Sequence, residues 1–213
     1  MRTRCLPDPQ HEERLRARGY RTIAGLDEAG RGAWAGPVVA AVCILPDSPS
    51  LLRPLEGVCD SKLLTARQRT YFEGRIRAAA QDLALGEASA CEIDAFGIVP
   101  ATRLAMQRAL ARLRLQPDLL VIDALHLEVP TPQLVTYHAD LNYLCVACAS
   151  IVAKTARDRL MCALDDSVPG YYFARHKGYG TALHRRMLAQ NGICAEHRRS
   201  YRPVAQCQAP ANA

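Results

Sequence analysis

Three apolar runs along the chain end in acids. Ile23-Ala24-Gly25-Leu26 leads into Asp27 and Glu28, Leu119-Leu120-Val121-Ile122 into Asp123, and Leu134-Val135-Thr136-Tyr137-His138-Ala139 into Asp140. Near-continuous apolar character over so few residues is the pattern of buried strands in a parallel arrangement. Val38 to Leu45 reads as a strand following the first, and Leu83 to Ala88 as a third that closes an antiparallel set. Helical spacing takes over elsewhere. Thr65 to Gln81 is amphipathic, Ser89 to Asp94 opens a helix, and Thr102 to Leu115 repeats Leu104, Met106, Leu110 and Leu113 with arginines on the other side before Pro117 and Asp118 end it. Leu144 to Leu164 is a long helical stretch rich in Ala and Cys, Pro46 to Pro54 reads as a loop, and residues up to Tyr20 read as a charged helical tail.

Parallel strands present their C-terminal ends along one edge, so Asp27, Asp123 and Asp140 converge there with Glu28. One Asp at a strand end is ordinarily a turn or helix cap; three such units ask for more. Side chains alternate along a strand, so Asp27 and Glu28 address one ligand only if the strand ends or kinks between them, and Gly30 and Gly32 make such a turn cheap. A dinucleotide-binding loop fits poorly, because these glycines lead into a strand and the acids would repel a pyrophosphate. Gathered carboxylates raise each other's pKa. A divalent ion resolves the conflict, and oxygen ligands without Cys or His select Mg²⁺ or Mn²⁺. Two such ions would activate a water and stabilise the leaving oxygen of a phosphodiester.

Composition narrows the class. The chain has 213 residues, enough for one core with a small lobe, and no apolar run approaches the length of a membrane span. The charged N-terminus lacks the pattern of a secretory leader. Nine cysteines without a regular framework fit a reducing, cytoplasmic setting, and the lone Cys145/Cys148 pair reads as small buried residues on one helix turn, with zinc the weaker reading. Net charge is +6, and location matters more than size: between Tyr171 and Pro203, Arg175, Lys177, Arg185, Arg186, Arg198, Arg199 and Arg202 face the single acid Glu196. The rest of the chain is balanced. The surplus suits a lobe that grips a polyanion, with a solvated basic face as the plain alternative. Asp60-Ser61-Lys62 caps a helix or brings Lys62 to a phosphate.

Read together, these segments resemble the bacterial type 2 ribonucleases H, the ribonuclease HII family, from about Thr22 to Val204. The matching motifs are Gly25-Leu26-Asp27-Glu28-Ala29-Gly30-Arg31-Gly32, Asp60-Ser61-Lys62, Glu92-Ile93-Asp94, Ile122-Asp123, Ala149-Ser150-Ile151-Val152-Ala153-Lys154 with Arg157-Asp158, His176-Lys177-Gly178-Tyr179-Gly180-Thr181 and His197-Arg198-Arg199-Ser200. The resemblance implies an α/β fold, an RNase H-like five-stranded mixed sheet flanked by helices, with a small C-terminal helical lobe. It divides the chain into a tail to residue 20, a core over 21–164, a basic substrate-binding lobe over 165–205 and a tail over 206–213. It implies an endonuclease that cuts the RNA strand of RNA/DNA hybrids and incises 5′ of a single ribonucleotide in duplex DNA, with Asp27, Glu28, Asp123 and Asp140 holding two Mg²⁺ or Mn²⁺ ions when substrate is bound. Gly30-Arg31-Gly32 would read the ribose 2′-OH through backbone and Tyr179 would stack on the next sugar. Lys62, Lys177, Arg198 and Arg199 would hold phosphates, and His176 and His197 would contact phosphate or lie on the surface. A monomer suffices. A nuclease or resolvase of different substrate and a non-catalytic binding protein are the alternatives; the second would ordinarily lack an acid. Where the family has Gly beside the third and fourth acids, this chain has Ala124 and Ala139, and a positive φ at either would strain it by about 1 kcal/mol.

Overall fold

The computed structural model describes residues 6–8 and 10–208; residues 1–5, 9 and 209–213, within the two expected tails, lie outside it. Five strands, β1 (Ile23–Ala29), β2 (Val38–Ile44), β3 (Asp82–Ala88), β4 (Leu119–Asp123) and β5 (Gln133–Thr136), form one sheet in the order β3-β2-β1-β4-β5. β1, β2 and β3 pair antiparallel, and β4 and β5 extend β1 in parallel. The helices are α1 (Gln10–Ala17), α2 (Pro49–Leu52), α3 (Ala66–Ala79), α4 (Ala90–Phe96), α5 (Ile98–Leu110), α6 (Ala139–Asn142), α7 (Leu144–Ser167), α8 (Phe173–His176), α9 (Ala182–Asn191) and α10 (Arg202–Ala205).

Helices cover both faces of the sheet, which is why its central strands are apolar up to the acids at their C-terminal parts. Ala24 and Leu26 share one cluster with Ala101, Ala105, Met106 and Ala109 of α5. On the other face lies α7, so close to β1 that a Cβ on Gly25 would stand 2.3 Å from the Cys145 carbonyl carbon. Gly25 is therefore a packing requirement. Cys145 and Cys148 are buried inside this face, where burial pushes both thiols well up, as expected for small core residues.

Several boundaries follow local chemistry that periodicity does not show. Thr65 and Gln68 form a reciprocal capping box that starts α3, and Ser89 with Glu92 does the same for α4. The helix expected over 102–115 begins earlier, at Ile98, because Gly97 at φ +84° turns the chain directly out of α4. The loop expected from Pro46 to Pro54 holds the short α2. Most consequential is the third apolar run: β5 stops at Thr136, His138 adopts φ +57°, and Asp140 lies in the first turn of α6 instead of at a strand end. The N-terminal helix is packed down, with Leu15 in the core and the buried Glu12 accepting the Cys145 N–H at 3.0 Å.

Candidate active site

The acids meet where the sheet opens. β1 pairs with β4 as far as Leu26 and Ile122, one residue short of Asp27 and Asp123, while its pairing with β2 runs on through Asp27, Glu28 and Ala29. The strand thus neither ends nor kinks between the two acids, contrary to expectation. Asp27 lies on the α7 face with Gly25, and Glu28 on the α5 face with Leu26, as alternation requires. Loss of the neighbouring strand just before them lets both flank one opening.

Electrostatics shows what shares that opening. Burial, then the charge of Glu28, raises the Asp27 carboxyl well above its ordinary range, with Asp140 adding and a hydrogen bond from Ser150 opposing. Burial also raises Glu28, against Arg31 and Lys62 and with help from Asp123. Asp140 is raised by burial and by Asp60 and Asp123, against Lys62. Lys62 completes the set: burial lowers its pKa, but Asp60, Asp140, Asp27 and Asp123 together outweigh it. Its backbone N–H donates to Asp60 Oδ1 at 2.8 Å, so capping and a place among the acids coexist. Glu28 Oε2 is buried with no hydrogen-bond partner. An orphaned carboxylate oxygen among mutually raised acids is the donor set a hard cation fits. Among the described residues no three acids already enclose one point.

Ala124, directly after Asp123, has φ +53°, whereas Ala139 is helical and the strain falls on His138 instead. Ala124→Gly is therefore expected to stabilise the fold by about 0.5–1 kcal/mol, a few degrees at most in melting temperature, whereas Ala139→Gly should not. Urea titration of both variants checks this; equal effects would contradict it.

The Gly30-Arg31-Gly32 loop is fastened to the C-terminal lobe. Gly30, at φ +99°, has Arg157 where a Cβ would stand, whereas a Cβ on Gly32 would meet nothing within 4 Å. Arg31 contacts Glu28 at 3.3 Å, and its carbonyl accepts from Arg198 Nη1 at 2.9 Å and Tyr201 Oη at 2.6 Å. Trp34 N–H donates to the Gly178 carbonyl at 2.8 Å and Arg198 N–H to the Trp34 carbonyl at 2.8 Å. Fully buried Arg157 donates to the carbonyls of Pro37, Lys177 and Ala35. Burial lowers it to about 10, still a cation at neutral pH. Its guanidinium and the Lys154 ammonium stand 5.4 and 5.5 Å from the Tyr179 ring.

The other residues read from sequence as phosphate contacts differ in their surroundings. Arg198 is fully buried, donating to Gly36, Arg31 and Tyr201, because backbone carbonyls satisfy its guanidinium as well as a phosphate would. Lys177 turns its ammonium onto the Ala174 carbonyl and Cys162 Sγ. Arg199 is exposed, its N–H held by Asp94 at 2.8 Å. His176 and His197 are buried, neither surface residues nor phosphate contacts; burial depresses His176 and brings His184 and His197 to about 4, so all three are neutral near pH 7. Ser150 and Arg157 went unassigned in the sequence. Their seven-residue spacing places both on the stripe of α7 that faces β1, which is the signal the motif held.

A mixed five-stranded sheet with acids at the end of its central strand defines an RNase H-like nuclease. A sequence model described as Ribonuclease HII matches residues 24–204. Ribonuclease HII of Roseiflexus castenholzii is 50% identical over 211 residues, 97% of this chain and 92% of that one. The crystal structure of ribonuclease H2 from Pyrococcus horikoshii OT3 superposes with a TM-score of 0.71 at 26% identity, covering 87% of this chain and 96% of that one. Bst-RNase HIII in complex with Mn²⁺ gives 0.66 at 16% identity over 87% and 68%, a likeness of fold. The chain belongs to the ribonuclease HII family. It is an endoribonuclease of the ribonuclease H type.

Proposed function

We propose that this endonuclease incises duplex DNA 5′ of a single embedded ribonucleotide and cuts the RNA strand of RNA/DNA hybrids, using two Mg²⁺ or Mn²⁺ ions held by Asp27, Glu28, Asp123 and Asp140. The observation that carries the reading is the adjacency of two units: an Asp27 carboxyl raised by burial and by the charges of Glu28 and Asp140, and a glycine loop bonded to the segment that presents Tyr179. Bound ions would supply an activated water and charge stabilisation at the leaving oxygen. Substrate phosphate oxygens would complete their coordination.

In this reading the chain's own residues bind and orient. Gly32, exposed and needed for no packing, lets a ribose approach the loop backbone, and the 2′-OH is recognised there. Tyr179 stacks on the following deoxyribose. Lys62 and the exposed Arg175, Arg185, Arg186, Arg199 and Arg202 hold phosphates, so the segment 165–205 acts as the substrate-binding lobe against the core over 21–164. Lys62 also keeps Asp140 closer to ionised, ready to ligate. A monomer is the working unit of this reading. No helix among the described residues is long and apolar enough to cross a membrane.

The test is incision of a labelled duplex containing one ribonucleotide, with Mg²⁺, Mn²⁺ or EDTA, beside an all-DNA duplex and a hybrid. A metal-dependent nick immediately 5′ of the ribonucleotide is expected. Cleavage of the hybrid alone would remove the junction reading and leave the acids in place.

A further inference from the structure

Three buried histidines lie behind Tyr179 without touching the acids, and their hydrogen bonds leave one arrangement of protons. Cys194 N–H donates to His197 Nδ1 at 3.0 Å, so that nitrogen carries a lone pair and the proton of the neutral ring is on Nε2. His197 Nε2 lies 3.0 Å from His184 Nε2, which must then accept. The His184 proton is left on Nδ1, 3.0 Å from the Tyr179 carbonyl, to which it donates. His176 obeys the same logic in reverse: its Nδ1 accepts from Gly178 N–H at 3.2 Å, and its Nε2 donates to the Tyr171 carbonyl at 2.8 Å. The rings of His176 and His184 stack with centroids 4.3 Å apart. Two imidazoles therefore hold adjacent residues of the loop, one by the N–H of Gly178 and the other by the carbonyl of Tyr179.

That loop needs holding. Lys177 at φ +53° and Gly178 at φ +80° place two successive residues in the left-handed region. Gly178 is wedged so that a Cβ would stand 2.4 Å from the Ala35 carbonyl oxygen, and Gly180 so that one would meet the Trp34 ring. The low pKa values of His184 and His197 agree with a relay kept neutral.

We propose that His184 is a positioning residue for junction recognition: the chain Cys194 N–H to His197 to His184 to the Tyr179 carbonyl sets the direction in which the Tyr179 ring is presented. The proposal rests on the reading of Tyr179 given above. It makes the selectivity of the enzyme depend on one N–H in the interior of the lobe.

Asparagine and glutamine separate this from a merely structural role. His184→Asn keeps a side-chain N–H near the place of Nδ1, within reach of the Tyr179 carbonyl; His184→Gln reaches the place of Nε2 and His197 but leaves that carbonyl without its donor. Both are polar and fill similar space. The readout is kcat and KM on a single-ribonucleotide duplex and on a long hybrid, with Tyr179→Ala in parallel. For His184→Gln, kcat on the single-ribonucleotide duplex is expected to fall about tenfold relative to the hybrid with KM within about twofold, and His184→Asn to stay within about threefold of wild type. ¹⁵N NMR of wild type should show protons on Nδ1 of His184 and Nε2 of His197. Selective loss in Tyr179→Ala without selective loss in His184→Gln would overturn the relay and keep Tyr179; equal losses of both His184 variants on both substrates would also overturn it. Absence of selective loss in Tyr179→Ala would instead refute the role of Tyr179, and with it this function of the relay. The opposite tautomers would overturn the relay whatever the kinetics.

Discussion

Asp27→Asn is expected to melt at a higher temperature than the wild type in metal-free buffer at pH 7–8, while losing incision by on the order of a thousandfold or more. Both effects have one cause. The Asp27 carboxyl is raised by burial and by the charges of Glu28 and Asp140, so its folded pKa lies above the unfolded value of about 3.9. A raised acid contributes stability that is fully present below the unfolded pKa and is lost as pH rises through the folded pKa. At neutral pH the ionised form is therefore a liability that a cation relieves and that asparagine removes. The difference in melting temperature should be a few degrees at pH 8 and shrink to nothing towards pH 4. Divalent ions should raise the melting temperature of wild type more than that of the variant. A wild type more stable than Asp27→Asn in EDTA at pH 8 would contradict the crowding of charge that the site is built on.

Arg157→Met is expected to be among the most damaging single changes outside the acids. The guanidinium is fully buried and serves three carbonyls, from Pro37, Lys177 and Ala35, two of them in the segment between β1 and β2 and one in the lobe. Methionine fills much of the volume and donates nothing, so three acceptors lose their partner in a place water does not reach, at about 1–3 kcal/mol each. A loss of about 3–5 kcal/mol, on the order of 10 °C, should appear in thermal and urea unfolding. Arg157→Lys should recover part of it, since an ammonium keeps the charge but cannot spread across three acceptors. Destabilisation by less than about 1 kcal/mol would mean that the loop and the lobe are held chiefly by other contacts.

Much of the fold was legible because buried strands leave a plain trace. The runs leading to Asp27 and Asp123 and the two antiparallel strands lie where apolar character puts them; Asp123 is at its strand end as expected, whereas Asp27 and Glu28 sit inside β1, which runs on to Ala29. Asp140 does have Lys62, Asp60 and Asp123 as charged neighbours, but not from a strand end: the turn at His138 converts the run after Thr136 into a short helix, and a single left-handed residue leaves no periodic signal. The basic segment shows the deeper limit. A count of arginines does not distinguish one that faces solvent from one whose donors are used by backbone carbonyls, so Arg198 read as a phosphate contact although it is buried. Histidine is as ambiguous, because neutral rings hydrogen-bonded to backbone groups in the interior have the composition of a surface site. Ser150 and Arg157 were visible in their motif, but the groups they serve around β1, Asp27 for Ser150 and the Ala35 and Pro37 carbonyls for Arg157, lie more than a hundred residues away in the chain, beyond the reach of any local pattern.

The fastening of Arg31 by Arg198 and Tyr201 also has a bearing on synthesis. The residues that carry the acids, from β1 to Asp140, are all synthesised within about the first two-thirds of the chain. The Arg31 carbonyl in the turn after β1 still lacks its donors at that stage, because Arg198 and Tyr201 are translated about sixty residues after Asp140. A growing chain therefore carries the four proposed metal ligands before it carries the donors that fasten the turn beside them, and that turn is completed only near the end of synthesis.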